Sequence, residues 1–138
     1  DAGVDINHKD ENGRTALMFA AFNGHREIVD YLLEKGAFVD MHDRFNRTAL
    51  LYASTGPFPE TVSLLLKHDA DPNVVDNEEH FTPLMHAAAE GNPEVVRLLL
   101  RHGADPAHRD NDGDNALSFA RENGHEEVVK TLTSYRSR

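Results

Sequence analysis

The sequence predicts an all-α repeat solenoid, in which stacked helix-turn-helix units are joined by β-hairpin or loop fingers. First, residues 81–105 combine an Ala-rich segment, a break at Gly91-Asn92-Pro93, an apolar segment from Val95 to Leu100 and a terminator at Gly103. Second, the same order of residues recurs upstream and downstream. Third, the recurrence has a step of 33 or 34 residues, which is typical of a stacked repeat array.

Residues 81–105 predict two antiparallel helices and a turn. Ala87, Ala88 and Ala89 are strong helix formers whose small side chains allow a close approach to a neighbouring helix. Asn92 is placed to cap the second helix with Pro93 at its first position, where the missing N–H costs nothing. Gly103 can take the left-handed conformation that ends this helix.

The spacing of equivalent residues divides the chain into units. The step is 33 residues from Thr15 to Thr48, 34 from Thr48 to Thr82 and 33 from Thr82 to Asn115, which indicates one extra residue within 77–80. We therefore predict a single array over 1–138. It comprises the tail of a preceding unit (1–9), three full units (10–42, 43–75 and 76–109) and a C-terminal capping unit (110–138).

Two units depart from the pattern. In unit two, Pro57 replaces a turn residue and is predicted to end the first helix early, while Pro59 starts the second helix. In unit four, Arg121 and Thr133 stand where the other units have small or apolar residues. Polar residues at these positions predict that no further unit packs there, so unit four is interpreted as a cap.

The recurring motif resembles that of the ankyrin-repeat family. Thr82-Pro83-Leu84 with Ala87 matches the start of the family motif, Gly24-His25 and Gly124-His125 match its turn, and Gly103-Ala104-Asp105 matches the approach to its finger. The motif's histidine, which hydrogen-bonds near the turn in the family, is replaced at all four positions, by Met18, Leu51, Met85 and Ser118. This array is therefore expected to satisfy those backbone groups in another way or to depend more on packing.

Composition argues against several classes of function. The net charge of −10 argues against nucleic acid and against anionic membrane surfaces, since both need clustered Lys and Arg. The absence of cysteine excludes disulfides, thiolate chemistry and Cys-based zinc sites. No apolar run approaches about 20 residues and no signal peptide is visible, so we expect a cytoplasmic protein. The chain begins at Asp1 without Met, which leaves an upstream targeting segment open.

The nine histidines do not form a convincing metal site. His25 and His125 occupy the family's turn position and are expected to be structural. His68 and His102 stand at the ends of successive second helices, where a positive charge interacts favourably with the negative end of the helix dipole. Two imidazoles without a carboxylate or thiolate make only a weak zinc site. The sequence has no phosphate loop, nucleophile elbow or His-Glu-x-x-His motif. We therefore expect no metal, no cofactor and no enzymatic activity.

The resemblance implies that a partner protein or peptide binds in a concave groove formed by finger tips and the exposed faces of first helices. Aromatic residues at positions that folding does not require, and arginines concentrated on two adjacent fingers, are residue types enriched at binding hot spots. The predicted partner-binding residues are Arg14, Phe22, Asn23, Arg44, Phe45, Arg47, Thr55, Phe81, His86 and Glu90. The alternative is that one or more of the phenylalanines folds back on its own finger.

One column of first-helix residues is predicted to pack between units. Its members are Phe19, Tyr52, His86 and Phe119. Among them, His86 is expected to be the most exposed.

These observations predict a non-enzymatic scaffold or adaptor, present as a monomeric array, that binds another protein. The alternative is a regulatory or structural segment of a larger enzyme or channel, with the groove used intramolecularly. By resemblance alone, Asn73 and Asn7 match the finger asparagine that asparaginyl hydroxylases modify in some ankyrin proteins.

Overall fold

The computed structural model describes residues 5–135, so residues 1–4 of the predicted tail and 136–138 of the predicted cap lie outside the described residues. Within this range the helices are α1 (Ala16–Phe22), α2 (Arg26–Glu34), α3 (Ala49–Ala53), α4 (Pro59–Lys67), α5 (Pro83–Glu90), α6 (Pro93–Arg101), α7 (Ala116–Glu122) and α8 (Glu126–Ser134). Each predicted unit contributes two of them, so the predicted all-α repeat fold is confirmed.

The helices form two layers that run the length of the array. The first helices of the units contact one another in the order α1, α3, α5 and α7, and the second helices do so in the order α2, α4, α6 and α8. Leucines such as Leu50, Leu65, Leu84 and Leu99 are fully buried between the layers and between successive units. The core is therefore continuous along the array, with each unit packed only on its neighbours.

A side-chain oxygen caps the start of each first helix. In units one to three a threonine hydroxyl accepts a hydrogen bond from the backbone N–H three residues later at 3.2–3.3 Å. The N–H groups of Met18, Leu51 and Met85 donate to Thr15, Thr48 and Thr82, respectively. In unit four, Asn115 and Ser118 form a reciprocal capping box. Met18, Leu51 and Met85, which replace the family histidine, are buried. Capping and packing together thus hold the turn that lacks the histidine.

The fingers are tight turns closed by an aspartate, and no strand occurs anywhere in residues 5–135. Of the two forms expected for the fingers, β-hairpin or loop, this part of the chain has loops. Asp43 shows the arrangement, since its carboxylate accepts hydrogen bonds from the N–H groups of Phe45 and Arg47, both at 2.9 Å. Because the side chain satisfies these donors, the finger needs no strand ladder.

Adjacent fingers are joined by single backbone hydrogen bonds. The N–H of Arg44 donates to the carbonyl of Asn12 at 2.9 Å, and the N–H of Asn77 donates to the carbonyl of Phe45 at 3.0 Å. The third finger carries the extra residue, because the N–H of Asp76 reaches the carbonyl of Phe81, one residue further along than in the other fingers. The finger tips are thus held in register beside the first helices.

The turn between the two helices of a unit is contacted by the next unit. Nε2–H of His125 donates a hydrogen bond at 2.9 Å to the carbonyl of Ala89, and a Cβ added at Gly91 would overlap the His125 ring. Phe58 takes the same place in unit two, where its ring lies against Gly24. Close approach therefore requires glycine at these two turns.

Two local expectations had different outcomes. The short α3, which ends before Pro57, and the start of α4 at Pro59 confirm the effect predicted for the prolines of unit two. The prediction that Asn92 caps α6 was wrong in its chemistry. Asn92 occupies the capping position, but its side chain makes no capping hydrogen bond and its amide nitrogen is buried without a partner.

The two outer faces of the described array differ. Ile28 on α2 is 50% exposed, whereas the equivalent residues Thr61, Val95 and Val128 are each 1% exposed because a preceding unit covers them. At the other end, Arg121 and Thr133 are exposed, whereas their equivalents Ala88 and Leu100 are buried. The first face is therefore apolar and the last one polar, while the capping role of unit four stays a prediction.

Replacing Asp69 by glycine should stabilise the array. Asp69 ends α4 with a φ of 67°, a left-handed conformation that disfavours a residue with a Cβ. We expect Asp69→Gly to raise the free energy of unfolding by up to about 1 kcal/mol in urea titrations. Asp30→Gly, which makes the same change on the exposed face of α2, should lower it, because glycine weakens a helix interior. Equal shifts in the two variants would indicate a charge effect and contradict the backbone explanation.

Replacing Gly24 by alanine should destabilise the array more than the same change at Gly36. Both glycines have positive φ, 69° and 97°, so both variants carry backbone strain. At Gly24 the new Cβ would also overlap the Phe58 ring, whereas nothing lies within 4 Å at Gly36. We expect the difference between the two losses of unfolding free energy to be about 1–3 kcal/mol. Equal losses would show that the contact between the turns contributes nothing.

Candidate partner-binding groove

The groove is lined by the first helices, α1, α3, α5 and α7, and by the fingers that precede them. Between units one and two it opens into a cavity of about 410 Å³, which we call the first cleft. Its lining residues are Arg14, Met18, Phe19, Phe22, Asn23, Arg47 and Tyr52. Four predicted partner-binding residues, Arg14, Phe22, Asn23 and Arg47, therefore lie together.

Aromatic and guanidinium groups alternate around the first cleft. Phe22 meets Tyr52 edge to face with ring centroids 6.0 Å apart, and the Arg14 guanidinium lies 5.1 Å from the centroid of Phe19. Phe19 is 48% exposed and Phe22 is 53% exposed. These are large apolar surfaces left open to solvent next to a cation, a combination that favours binding over folding as their role.

Arg14 is held at its finger by Asp10. Its Nε donates to the Asp10 carboxylate at 3.1 Å, and its backbone N–H donates to the same group at 2.9 Å. The backbone hydrogen bond from Arg14 is the main reason that the pKa of Asp10 is lowered. The carboxylate is therefore ionised at neutral pH and fixes the base of the arginine side chain.

A buried carboxylate organises the opposite wall of the first cleft. The hydroxyl of Tyr52 donates to Oδ2 of Asp43, and Nε of Arg47 lies 3.4 Å from the same oxygen. The Arg47 guanidinium also stacks 5.3 Å from the centroid of the Tyr52 ring. Burial, followed by the hydrogen bond to Asp43, raises the pKa of Tyr52 to about 12. Asp43 thus shapes the finger with one oxygen and positions two cleft residues with the other.

Phe45 is packed against arginines on its own finger. Its ring centroid lies 5.4 Å from the Arg44 guanidinium and 4.5 Å from that of Arg47, and the side chain is half-buried. Arg44 also donates to the amide oxygen of Asn12 at 3.1 Å, which joins the first two fingers. Phe45 therefore follows the alternative of folding back on its own finger, and Arg44 is partly engaged in structure.

The groove is almost closed between units three and four. There, Phe81 lies edge to face with His86 at 5.6 Å and with Phe119 at 5.7 Å, and only about 40 Å³ remains. We call this space the second cleft, lined by Phe81, Met85, His86, Ala89 and Phe119. Phe81 is consequently half-buried and bridges two units.

The expected exposure of His86 was wrong. His86 is half-buried against Phe81, and burial lowers its pKa, although the charges of Asp76 and Glu90 act in the opposite direction. Phe19 is the exposed member of this column instead. The reason is that Phe81 covers His86, whereas the equivalent finger residue beside Phe19 is Arg14, which stacks on one side of the ring.

The remaining predicted residues have different surroundings. Thr55 donates its hydroxyl to the carbonyl of Tyr52 at 2.7 Å, so it completes the end of α3. Asn23 likewise donates to the carbonyl of Phe19 at 2.9 Å. Glu90 is exposed at the end of α5 and lies outside both clefts. These three residues therefore border the groove, and two of them have structural hydrogen bonds.

Asn7 and Asn73 each connect one unit to the next. The amide oxygen of Asn73 accepts from the N–H of Asp105 at 2.8 Å, and its amide nitrogen donates to the carbonyl of Gly103 at 2.9 Å. Asn7 forms the same pair of bonds with Phe38 and Gly36. Both side chains thus use their amide oxygen and their amide nitrogen in bonds between units.

Sequence reasoning assigned Phe19 and Tyr52 to packing alone, and it did not single out Met18 as a groove residue. In the structure all three contribute to the wall of the first cleft. The sequence does hold a signal for this exposure, which is the residue that precedes each first-helix cap and lies beside the column of Phe19, Tyr52, His86 and Phe119. Beside Arg14 the column residue Phe19 stays exposed, whereas Phe81 covers the column residue His86.

Residues 5–135 contain no cluster of three or more His, Cys, Asp or Glu side chains arranged to hold a metal ion. None of the helices in this range has the length and apolar character needed to cross a membrane.

Replacing Tyr52 by phenylalanine should remove part of the alkaline destabilisation of the array. An unfolded tyrosine loses its proton near pH 10, whereas folded Tyr52 keeps it until about pH 12. The stabilisation linked to this proton is therefore present below pH 10 and is lost as the pH rises from about 10 to 12. Urea titrations across this window should show a smaller fall for Tyr52→Phe than for the wild type. Tyr31→Phe, at an exposed tyrosine of α2, is the control and should fall like the wild type. Identical profiles for both variants would contradict the role of the contact with Asp43.

Comparisons with known proteins agree with this architecture. A family model for ankyrin repeats, which spans three copies, matches residues 2–76 and 58–138. NAD-capped RNA hydrolase NUDT12 from Homo sapiens is 68% identical over 31 residues, which is 22% of this chain and 7% of that protein, and the match to NUDT12 from Pongo abelii has the same values. Serine/threonine-protein kinase 12 from Arabidopsis thaliana is 44% identical over 45 residues, 33% of this chain and 10% of that protein.

The chain spans only 7% to 10% of the length of these relatives. The family model, in contrast, covers nearly every residue of the chain. The chain therefore belongs to the ankyrin-repeat family.

Proposed function

We propose that this array is a non-enzymatic scaffold or adaptor module that binds a partner protein in its concave groove. Ankyrin repeats are non-catalytic modules typical of protein–protein interaction, which supports the general class. The observation that carries the proposal is the first cleft, where Phe19 and Phe22 stay about half exposed beside Arg14 and Arg47. Aromatic and arginine side chains dominate the energetics of protein interfaces.

The nature of the partner follows from the charge of the chain. The chain has a net charge of −10 and lacks the extended clusters of Lys and Arg that nucleic acid and anionic membrane surfaces require, so the proposed partner is a protein or peptide. We further propose that the array acts as a monomer in the cytoplasm, where its lack of cysteine fits the reducing conditions. Hydroxylation of Asn73 or Asn7 also stays a proposal, and a hydroxylase would first have to open the bonds that these side chains make to the next unit.

A second candidate is a regulatory or structural segment of a larger enzyme or channel, with the groove occupied by another part of the same polypeptide. One observation favours it. The matched relatives are named as a hydrolase and a kinase, and in both the matched region is a small part of the protein. In this case the same groove would act in cis.

The groove assignment can be tested with one groove variant and one control. We expect the double variant Phe22→Ala, Arg14→Ala to lose the partners that the wild type captures from an extract of its native host, measured by quantitative mass spectrometry. Tyr31→Ala removes an equally exposed aromatic residue from α2, outside the groove, and should keep them. Urea titration of all three proteins would verify folding. Full recovery by the groove variant, or equal loss in both variants, would refute the assignment.

A further inference from the structure

We propose that the first cleft selects a peptide segment in which a large apolar side chain stands next to carboxylates. The inference rests on the proposed function and adds the chemistry of the partner. It follows from three features of the cleft: its open aromatic floor, the terminal guanidinium nitrogens of Arg14 and Arg47, which make no hydrogen bond within residues 5–135, and the distribution of charge along the groove.

The first feature is space lined by apolar surface. The first cleft has about 410 Å³ between Phe19, Phe22 and Tyr52, which is enough for a side chain of the size of phenylalanine or leucine. In the equivalent second cleft, Phe81 and Phe119 contact His86 edge to face and leave about 40 Å³. One position explains the difference, because Phe81 is the equivalent of Arg14. The array thus fills one cleft with its own phenylalanine and leaves room for a partner's side chain in the other.

The second feature is the pair of arginines on the rim of this space. Arg14 uses its Nε for Asp10, and Arg47 places its Nε near Asp43. The terminal nitrogens of these two guanidinium groups make no hydrogen bond to any residue within 5–135. Each group therefore keeps donors in the fork geometry that matches a carboxylate. Their stacking on Phe19 and Tyr52 restrains them, so less side-chain entropy is lost on binding.

The third feature is a difference in charge along the groove. In fingers 10–14 and 43–47, three arginines balance Asp10, Glu11 and Asp43, whereas fingers 76–81 and 110–114 carry six carboxylates and no Lys or Arg. An acidic peptide is therefore repelled from the fingers of units three and four and finds arginine donors at the first cleft, which fixes where it binds. A basic or neutral partner would leave these arginine donors without a carboxylate acceptor.

The inference can be tested with four short synthetic peptides in a common Gly/Ser context. They carry Phe-Glu-Glu, Phe-Gln-Gln, Ala-Glu-Glu or Phe-Lys-Lys, and binding to the full chain is measured by fluorescence polarisation and mapped by NMR chemical shifts. We expect the Phe-Glu-Glu peptide to bind at least about tenfold more tightly than each of the others, since one charge-assisted hydrogen bond supports a factor of this size. Its shift changes should centre on Phe19, Phe22 and Tyr52, and its affinity should fall with salt.

Variants of the array separate the two kinds of contact. Arg14→Gln or Arg47→Gln should weaken the Phe-Glu-Glu peptide about tenfold and leave the Phe-Gln-Gln peptide nearly unchanged. Phe22→Ala should instead reduce the advantage of Phe-Glu-Glu over Ala-Glu-Glu. Arg101→Gln removes one exposed positive charge at the end of α6 and should change each affinity less than twofold.

Several results would overturn the inference. These are equal binding of acidic and neutral peptides, tighter binding of the Phe-Lys-Lys peptide, equal effects of Arg14→Gln and Arg101→Gln, or no binding of any peptide. Failure here is distinguishable from failure of the proposed function. A partner whose capture depends on Phe22 and Arg14 but whose binding segment is neutral or basic would refute the peptide chemistry alone. Capture that is indifferent to the groove variant would refute the groove itself.

Discussion

Every unit of this array depends on its neighbour to bury its apolar side. Thr61, Val95 and Val128 occupy the same position in three successive units and are buried only because the preceding unit covers them. Ile28, at the same position in unit one, has no described unit packed over it and is 50% exposed. This dependence fixes the spacing of the first helices and, with it, the spacing of the fingers. A groove with a regular floor is therefore a direct result of the packing between units.

The site is built from positions that this packing leaves free. Asp43 connects the fold of the finger to the cleft, because one of its oxygens closes the finger while the other holds Tyr52 and Arg47. The fold needs the aspartate, but it does not specify the residue just before each helix cap. Arginine at that place leaves the first cleft open, whereas Phe81 closes the second one. In units one and three, the residue before the helix cap thus decides whether a cleft stays open beside it.

The fold could be predicted from the sequence because the same pattern of residues recurs in four units, so an irregular residue in one unit does not hide it. The helices were predicted in this way, and the short α3 was predicted from Pro57, which cannot continue a helix. The sequence was not sufficient for exposure. The accessibility of Phe19 and of His86 depends on which finger residue folds over each of them, and the repeat period of the sequence does not predict this contact. The capping of α6 by Asn92 was also mispredicted, because Asn92 stands at the capping position but its side chain makes no hydrogen bond to the start of the helix.

The two outer faces of the array have a consequence for association between copies of the chain. A face that leaves Ile28 and Tyr31 half exposed would be complementary to the far side of a unit like unit three, where Ala88 and Leu100 are apolar. Such head-to-tail contact does not close on itself and would propagate as a filament. The last described unit instead presents Arg121 and Thr133, whose burial against Ile28 would strand polar groups without partners. Arg121 and Thr133 therefore oppose the packing of unit four on an apolar face like that of unit one.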